Sequence, residues 1–241
     1  MLIVPTYNEG SNVAPLVHRI RKAVPFEPML FVDDSSPDGT ADEIRRMQRT
    51  YAAIELMVRP EKRGFSSAYR DAMKKVLQEN PGDYVITMDA DLSHPPESLP
   101  RMIELLKSNP VVIGSRYVAG GGTQGWDLGR HLLSMGANIY ARLLTGVPVH
   151  DLTAGFVGYQ AAVLSAVNWD AMQSEGYAFQ METKFILHNG GNSFCEFPIV
   201  FSERHAGRSK FTAKILREGI AFPIKAFAKR IRGNAGISSL H

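Results

Sequence analysis

Cysteine, tryptophan and net charge are scarce in this 241-residue chain, which has a single cysteine, two tryptophans and a formal charge of only +3. A lone Cys195 cannot build an internal disulfide framework and suits a reducing compartment. Its neighbours Phe194 and Phe197 mark it as a core residue rather than a nucleophile. No uninterrupted apolar run approaches the roughly 20 residues that span a bilayer. No signal peptide is expected, because Pro5 breaks the opening apolar strand Leu2-Ile3-Val4 before an h-region forms. Internal repeats are absent. Hydrophobic content of 44% and charged content of 21% leave no long stretch that reads as disordered. These absences describe a soluble or peripheral chain, long enough for a substantial core in one domain with or without an appendage.

The first half alternates short apolar runs with helical patterns, the signature of a parallel sheet covered by helices. Strands are expected at Leu2–Val4, Met29–Val32, Ile54–Val58, Tyr84–Met88 and Val111–Ile113. Helices are expected from Ser11 or Asn12, through Arg49, over Phe65–Gln78, over Glu97–Lys107 and over Leu128–Leu144. The layout is doubly wound through about residue 115, and in such sheets ligands sit at the carboxyl ends of strands. Thr6 to Glu9, Asp33 with Asp34, and Asp89 with Asp91 all stand there.

The pair Asp89 and Asp91 carries the most chemistry. A hard divalent cation such as Mg²⁺ takes oxygen ligands and is commonly shared between one or two carboxylates and substrate phosphates. In an extended segment residues i and i+2 point the same way, so both acids can face one ligand while Ala90 faces the core. The alternative is an ordinary acidic turn, with Asp91 or Ser93 capping the helix opened by Pro96 and Glu97.

Two further segments stand out. The glycine-rich Ala119–Trp126 lacks the Gly-Lys-Ser/Thr ending of a Walker phosphate cradle and is expected as a mobile loop, either a linker or a lid, rather than a packed strand or helix. From Arg204 to Arg232 the chain carries Arg204, Arg208, Lys210, Lys214, Arg217, Lys225, Lys229, Arg230 and Arg232, with Glu218 among them. Such a stretch suits phosphate ligands or anionic lipid, and the patterning of an RNA-binding module is absent, so no nucleic-acid partner is expected. Leu216, Ile220, Ile224, Phe227 and Ile231 fall near one helical face, which Pro223 should kink or divide. A basic amphipathic helix of this kind fits a membrane interface, or a terminal helix packed on its own domain.

Seven blocks, in order, resemble the dolichol- or polyprenol-phosphate mannose synthases of the family 2 glycosyltransferases. They are Val4–Glu9, Val32–Thr40, Met88–Pro95, Gly114–Tyr117, Asp151–Phe156, Gly176–Glu182 and Pro198–Arg204 continuing through Gly207–Lys210. The resemblance implies a single α/β domain of GT-A type (Rossmann-like) over residues 1–210, a mostly parallel sheet flanked by helices, followed by a basic amphipathic segment over 211–241. It implies GDP-mannose as donor, a dolichyl or polyprenyl monophosphate as acceptor, and Mg²⁺ or Mn²⁺ as cofactor. Pro5, Tyr7, Glu9, Val32 and Asp34 would line the guanosine pocket. Asp89, Ala90 and Asp91 would carry diphosphate and metal, with Ser93 reaching the metal only through water. Arg204 and Lys210 would reach the donor phosphates. Arg116 would stand between donor and acceptor phosphates, and Arg130 would meet the acceptor phosphate. Asp91 and Arg116 are thereby the catalytic candidates. His94 has no metal role in the pattern, and Asp151 reads as structural. The setting implied is cytoplasmic, on the cytosolic face of a membrane, with attachment through the tail, a separate anchoring subunit or a fused domain.

Charge arguments support this assignment. A leaving diphosphate gains negative charge that a metal, Arg and Lys stabilise where it develops. A lipid monophosphate, with a second pKa near ~6, is already largely ionised at neutral pH. It needs arginines to orient it rather than an Asp or Glu base. In-line attack inverts the anomeric centre. Two other enzymes fit parts of the pattern: a polyprenyl-phosphate glucosyltransferase using UDP-glucose, and an Asp-x-Asp phosphohydrolase, whose motif would usually follow the first strand rather than the fourth. A donor-binding subunit without turnover is the non-enzymatic alternative.

Overall fold

A computed structural model describes residues 1–79, 82–172, 174–203 and 213–231. Among these, one mixed sheet takes strands in the order β3-β2-β1-β4-β7-β5-β8. Their ranges are β1 Leu2–Thr6, β2 Met29–Asp33, β3 Ile54–Val58, β4 Tyr84–Thr87, β5 Val111–Ser115, β7 Val157–Gln160 and β8 Phe194–Pro198. The helices are α1 Gly10–Ala23, α2 Thr40–Thr50, α3 Phe65–Gln78, α4 Leu99–Leu106, α5 Leu128–Thr145, α6 Ala161–Ser165, α7 Gly176–Asn189 and α8 Ala213–Ile231. All sheet neighbours are parallel except β7, which runs antiparallel between β4 and β5.

Strand alternation divides the core. Ile3, Leu30, Val32, Val85, Val111 and Ile113 face a cluster built with α3 and α7. Leu2, Val4, Met29, Phe31, Ile86 and Val112 face the cluster built with α1, α2 and α4. The order turns at β1, which has β2 on one side and β4 on the other, so the loops after β1 and β4 diverge and leave a crevice at their carboxyl ends.

Three expectations are corrected by the structure. Pro5 does not break the first strand, which runs on to Thr6 with Pro5 opposite Val32. Pairing with β4 stops at Ile3, so the edge on which Pro5 lacks an N–H has no ladder to lose. The glycine-rich segment is not all loop, because Gly122–Gln124 forms β6 and pairs in parallel with β9, Val200–Ser202. Gly121 is required by close packing, since a Cβ there would lie 2.6 Å from the Ser115 carbonyl oxygen. Pro223 does not divide the last helix, and α8 is continuous through it.

Helix α8 packs on the body rather than standing apart from it. Phe222 meets the Phe185 ring of α7 edge-on at 6.1 Å, and Tyr140 of α5 donates to the Ile220 carbonyl at 2.9 Å. Its predicted apolar stripe is left uncovered: Leu216, Ile220, Ile224, Phe227 and Ile231 are all exposed.

Candidate active site

The loops after β1 and β2 are stitched together by short polar side chains. Thr6 Oγ1 and Ser36 Oγ donate to Asp33 at 2.9 and 2.6 Å, and the Asn8 N–H donates to Ser36 Oγ at 3.0 Å. The Glu9 N–H reaches Thr40 Oγ1 at 2.9 Å. Asn8 and Ser35 take left-handed φ values of 58° and 59°, backbone strain concentrated where the two loops meet. Pro5, Tyr7, Glu9, Val32 and Asp34 are brought together here, with the Val32 side chain in the core. Lys62 lies 3.6 Å above the Tyr7 ring.

Asp34 is committed to its own protein. Its carboxylate accepts from Arg59 at 2.6 Å and from the main-chain N–H groups of Arg63 and Gly64 at 3.1 and 2.7 Å. Arg59 is wholly buried and also pairs with Asp71. Asp34 thus holds the 59–64 loop in place, and Arg59 is a residue that the sequence reading missed. Nothing local marks it, because its partners lie on other elements.

The acid loop after β4 is equally ordered. Asp91 is buried and accepts from the Ser93 N–H at 3.1 Å and from Ser93 Oγ at 2.6 Å. Leu92 between them has φ +63°, which turns the chain back on itself. The Asp89 N–H donates to His94 Nδ1 at 3.0 Å, so a neutral His94 carries its proton on Nε2, 3.9 Å from Asp89 Oδ2. His94 also stacks on Phe156, as expected of a core-edge residue. The Ser202 N–H donates to the Ser93 carbonyl at 3.1 Å, so β9 passes beside this loop.

Arg116 leaves the end of β5 almost buried, 8% exposed, facing a fully buried Asp151. Its Nε and Nη2 donate to the two carboxylate oxygens at 2.7 and 2.6 Å, its main-chain N–H to the same carboxylate at 3.0 Å, and Nη2 also to Thr153 Oγ1 at 2.8 Å. Burial alone would lower the Arg116 pKa, but Asp151 more than reverses that and leaves it raised. Burial likewise pushes Asp151 up, and Arg116 overrides it, holding the carboxyl below its usual range. Asp151 is therefore the fixed counter-charge of Arg116, a partnership invisible at 35 residues' separation.

One cavity of about 70 Å³ lies between the acid loop after β4 and Arg116, with Asp89, His94, Arg116, Trp126, Arg130, Thr153 and Tyr177 in its wall. Arg130 lies 4.1 Å from the Trp126 ring and 3.5 Å from Glu203. The structure thus brings Asp89, Arg116 and Arg130 onto one space, with Asp91 and Ser93 behind Asp89. Arg204 and Lys210 lie outside the described residues.

The glycosyl transferase family 2 model matches residues 1–167. The chain belongs to that family. It is 38% identical over 220 residues to the undecaprenyl-phosphate mannosyltransferase of Micrococcus luteus, a match covering 91% of this chain and 90% of that protein. It is 39% identical over 224 residues to the polyprenol monophosphomannose synthase of Mycolicibacterium smegmatis, covering 91% and 83%. The solved glucosyl-3-phosphoglycerate synthase of Mycobacterium tuberculosis, with Mn²⁺, UDP-glucose and phosphoglyceric acid, superposes with TM-score 0.69 at 15% identity, over 94% of this chain and 79% of that one. That likeness establishes the GT-A type fold of this family 2 glycosyltransferase.

Proposed function

We propose that this glycosyltransferase moves mannose from GDP-mannose to a polyprenyl monophosphate, inverting the anomeric centre. The observation that carries the reading is the cavity with Asp89 in one wall and Arg116 and Arg130 in the other. The two mannosyl-transferring relatives support the sugar and the acceptor class.

The donor set fits a divalent cation. Among the described residues no group of three or more His, Cys, Asp or Glu is disposed to hold a metal. In this reading Asp89 and Asp91, two residues apart on the loop after β4, supply two carboxylates to a site completed by phosphate and water oxygens. Bound there, Mg²⁺ or Mn²⁺ would neutralise charge on the leaving diphosphate. Ser93 fixes Asp91 by its hydrogen bond, and Asp34 fixes the 59–64 loop beside Tyr7 and Glu9, where the nucleoside is held. Arg204 and Lys210 complete the donor-phosphate contacts in this reading. Arg116, pre-oriented by Asp151, and Arg130, laid over Trp126, orient the acceptor phosphate. An acceptor already ionised needs no carboxylate base.

The acceptor's lipid nature is supported by two neighbouring helices. On α5, Leu128, Leu133 and Leu143 are each more than 70% exposed, and the stripe on α8 is uncovered beside them. Apolar faces of this extent, flanked by Arg130, Lys225 and Lys229, suit the surface of an anionic membrane. No described helix is long and apolar enough to cross a bilayer. Peripheral attachment on the cytosolic face, with or without an anchoring subunit or fused domain, follows from this reading.

The test offers the purified protein Mg²⁺ or Mn²⁺, a short-chain polyprenyl phosphate and a panel of nucleotide sugars. Mannosyl lipid from GDP-mannose is expected. Product from UDP-glucose alone would replace the sugar, and nucleotide binding without any lipid product would remove the activity.

A further inference from the structure

Behind the Arg116–Asp151 pair lies a charge that the proposed transfer does not use. Lys184, in the middle of α7, is completely buried. Its ammonium donates to the carbonyls of Leu152 at 3.1 Å, Ala154 at 2.9 Å and Gln180 at 3.4 Å. Among the described residues it has no ion pair. An ammonium taken fully out of water without a carboxylate partner is expensive, and here that expense is offset only by the main-chain carbonyls it ties down. What the lysine secures is therefore the main chain that supplies those carbonyls.

The acceptors of that lysine suggest the reason. Leu152 and Ala154 flank Thr153, and the next residue each way is Asp151 or Gly155. Thr153 Oγ1 and Asp151 are the groups that hold Arg116, and a Cβ on Gly155 would lie 3.7 Å from Asp89 Oδ1. Thr153 is tied in addition to Asn138 of α5 through its N–H at 3.2 Å, and the Asp151 N–H donates to Glu196 of β8 at 3.0 Å. Segment 151–155 thus faces the cavity on one side and Lys184 on the other. Resting on the function proposed above, we infer that Lys184 is a positioning residue: it clamps the main chain either side of Thr153 so that Asp151 and Thr153 aim Arg116 into the cavity.

Charge state follows the same geometry. Three donors of an ammonium match three carbonyls, whereas a neutral amine has two donors and turns a lone pair toward the third. The charged groups facing Lys184 are Asp151 from the clamped loop, Arg116 from the end of β5 and Glu196 from β8. Gln180, the α7 acceptor, is neutral. Burial pushes the lysine down to about 7, with Asp151 and Glu196 opposing and Arg116 assisting. The clamp is therefore strongest below that pH and loosens above it.

The experiment compares the full chain with Lys184→Met, Lys184→Gln and Thr153→Ala, each with Mn²⁺, GDP-mannose and a short polyprenyl phosphate. Lys184→Met should lower kcat by on the order of tenfold to a hundredfold, the cost of a misplaced catalytic group, with the metal-dependent affinity for GDP changed less than about twofold. The wild-type to Lys184→Met ratio should be largest near pH 6 and shrink by pH 8.5. Hydrogen exchange should quicken at the amides of Asp151 and Thr153. Adding Thr153→Ala to Lys184→Met should cost no more than the worse single change, since both act through Arg116. If Lys184→Met does not fold, Lys184→Gln, which keeps two donors, carries the same tests with a smaller loss. A ratio flat with pH, independent multiplicative losses, or unchanged exchange over 151–155 overturns the inference. The exchange measurement needs no substrate, so a wild-type enzyme that proves to use another sugar removes the proposed function and leaves the clamp to be judged on its own.

Discussion

The two walls of the cavity are built at different distances in sequence. In the acid wall, Asp91 is held by Ser93 two residues away and the main chain of Asp89 by His94 five away. In the cationic wall, Arg116 is held by Asp151 across 35 residues, Asp151 by Glu196 across 45, and the loop between by Lys184 across 30 and 32. Local turns make the first wall and the fold makes the second. The acid wall is consequently set by short-range hydrogen bonds of modest worth. The arginine at the other wall depends on a buried ion pair, where removing one partner leaves a stranded charge.

Asp91→Ala should have the largest effect, lowering turnover by on the order of a thousandfold, comparable with loss of a principal charge-stabilising group. Calorimetry should show GDP binding that no longer responds to Mn²⁺; retained metal dependence would take Asp91 out of the donor site. Next, Asp151→Asn should destabilise the protein by about 3–5 kcal/mol because Arg116 stays buried and charged, whereas Ser93→Ala should cost only about 1 kcal/mol. Equal losses in denaturant titrations would erase the contrast between the walls. The pH dependence has a definite sign. Because the folded Asp151 pKa lies below its unfolded value near ~3.9, its contribution is complete above about pH 4 and is lost as pH falls through the depressed value. That acid limb should be missing from Asp151→Asn.

A smaller, one-sided effect is expected at the exposed end of the cationic wall. Arg130→Ala should raise KM for the lipid phosphate about tenfold, the order of one charge-assisted contact, with KM for GDP-mannose within twofold. Equal loss for both substrates would mean that Arg130 does not divide acceptor from donor. Least in stability terms, Leu133→Glu with Ile224→Glu should leave the unfolding midpoint within about 0.5 kcal/mol, as for exposed positions. Co-sedimentation with anionic vesicles should fall severalfold, and unaltered sedimentation would place lipid contact elsewhere.

What was legible beforehand follows the same division. Strands β1 to β5 and the helices between them could be placed from apolar runs and helical spacing, because each is a local pattern. The acids ending β1, β2 and β4 could be grouped because a parallel sheet sends every such end to one edge. Asp151 read as structural, and Arg59 and Lys184 drew no notice, because a buried charge is recognisable only beside its partner. The glycine-rich segment was expected as loop because a strand of Gly-Thr-Gln has little to bury. Its pairing depends on β9, 78 residues onward. Pro5 was expected to break its strand and Pro223 to kink or divide its helix; the strand runs on and the helix is undivided, since the consequence of a missing N–H depends on what faces it.

The amino-acid sequence alone determined the alternation of strands and helices, the two-carboxylate loop and the family to which the chain belongs, since each rests on contacts within a few residues or on ordered blocks. Only the tertiary structure decided where β7 inserts between β4 and β5, that Arg116 is neutralised from behind, and that the apolar faces of α5 and α8 lie side by side uncovered. Those outcomes are set by burial and pairing between remote segments, for which no local pattern carries the energy.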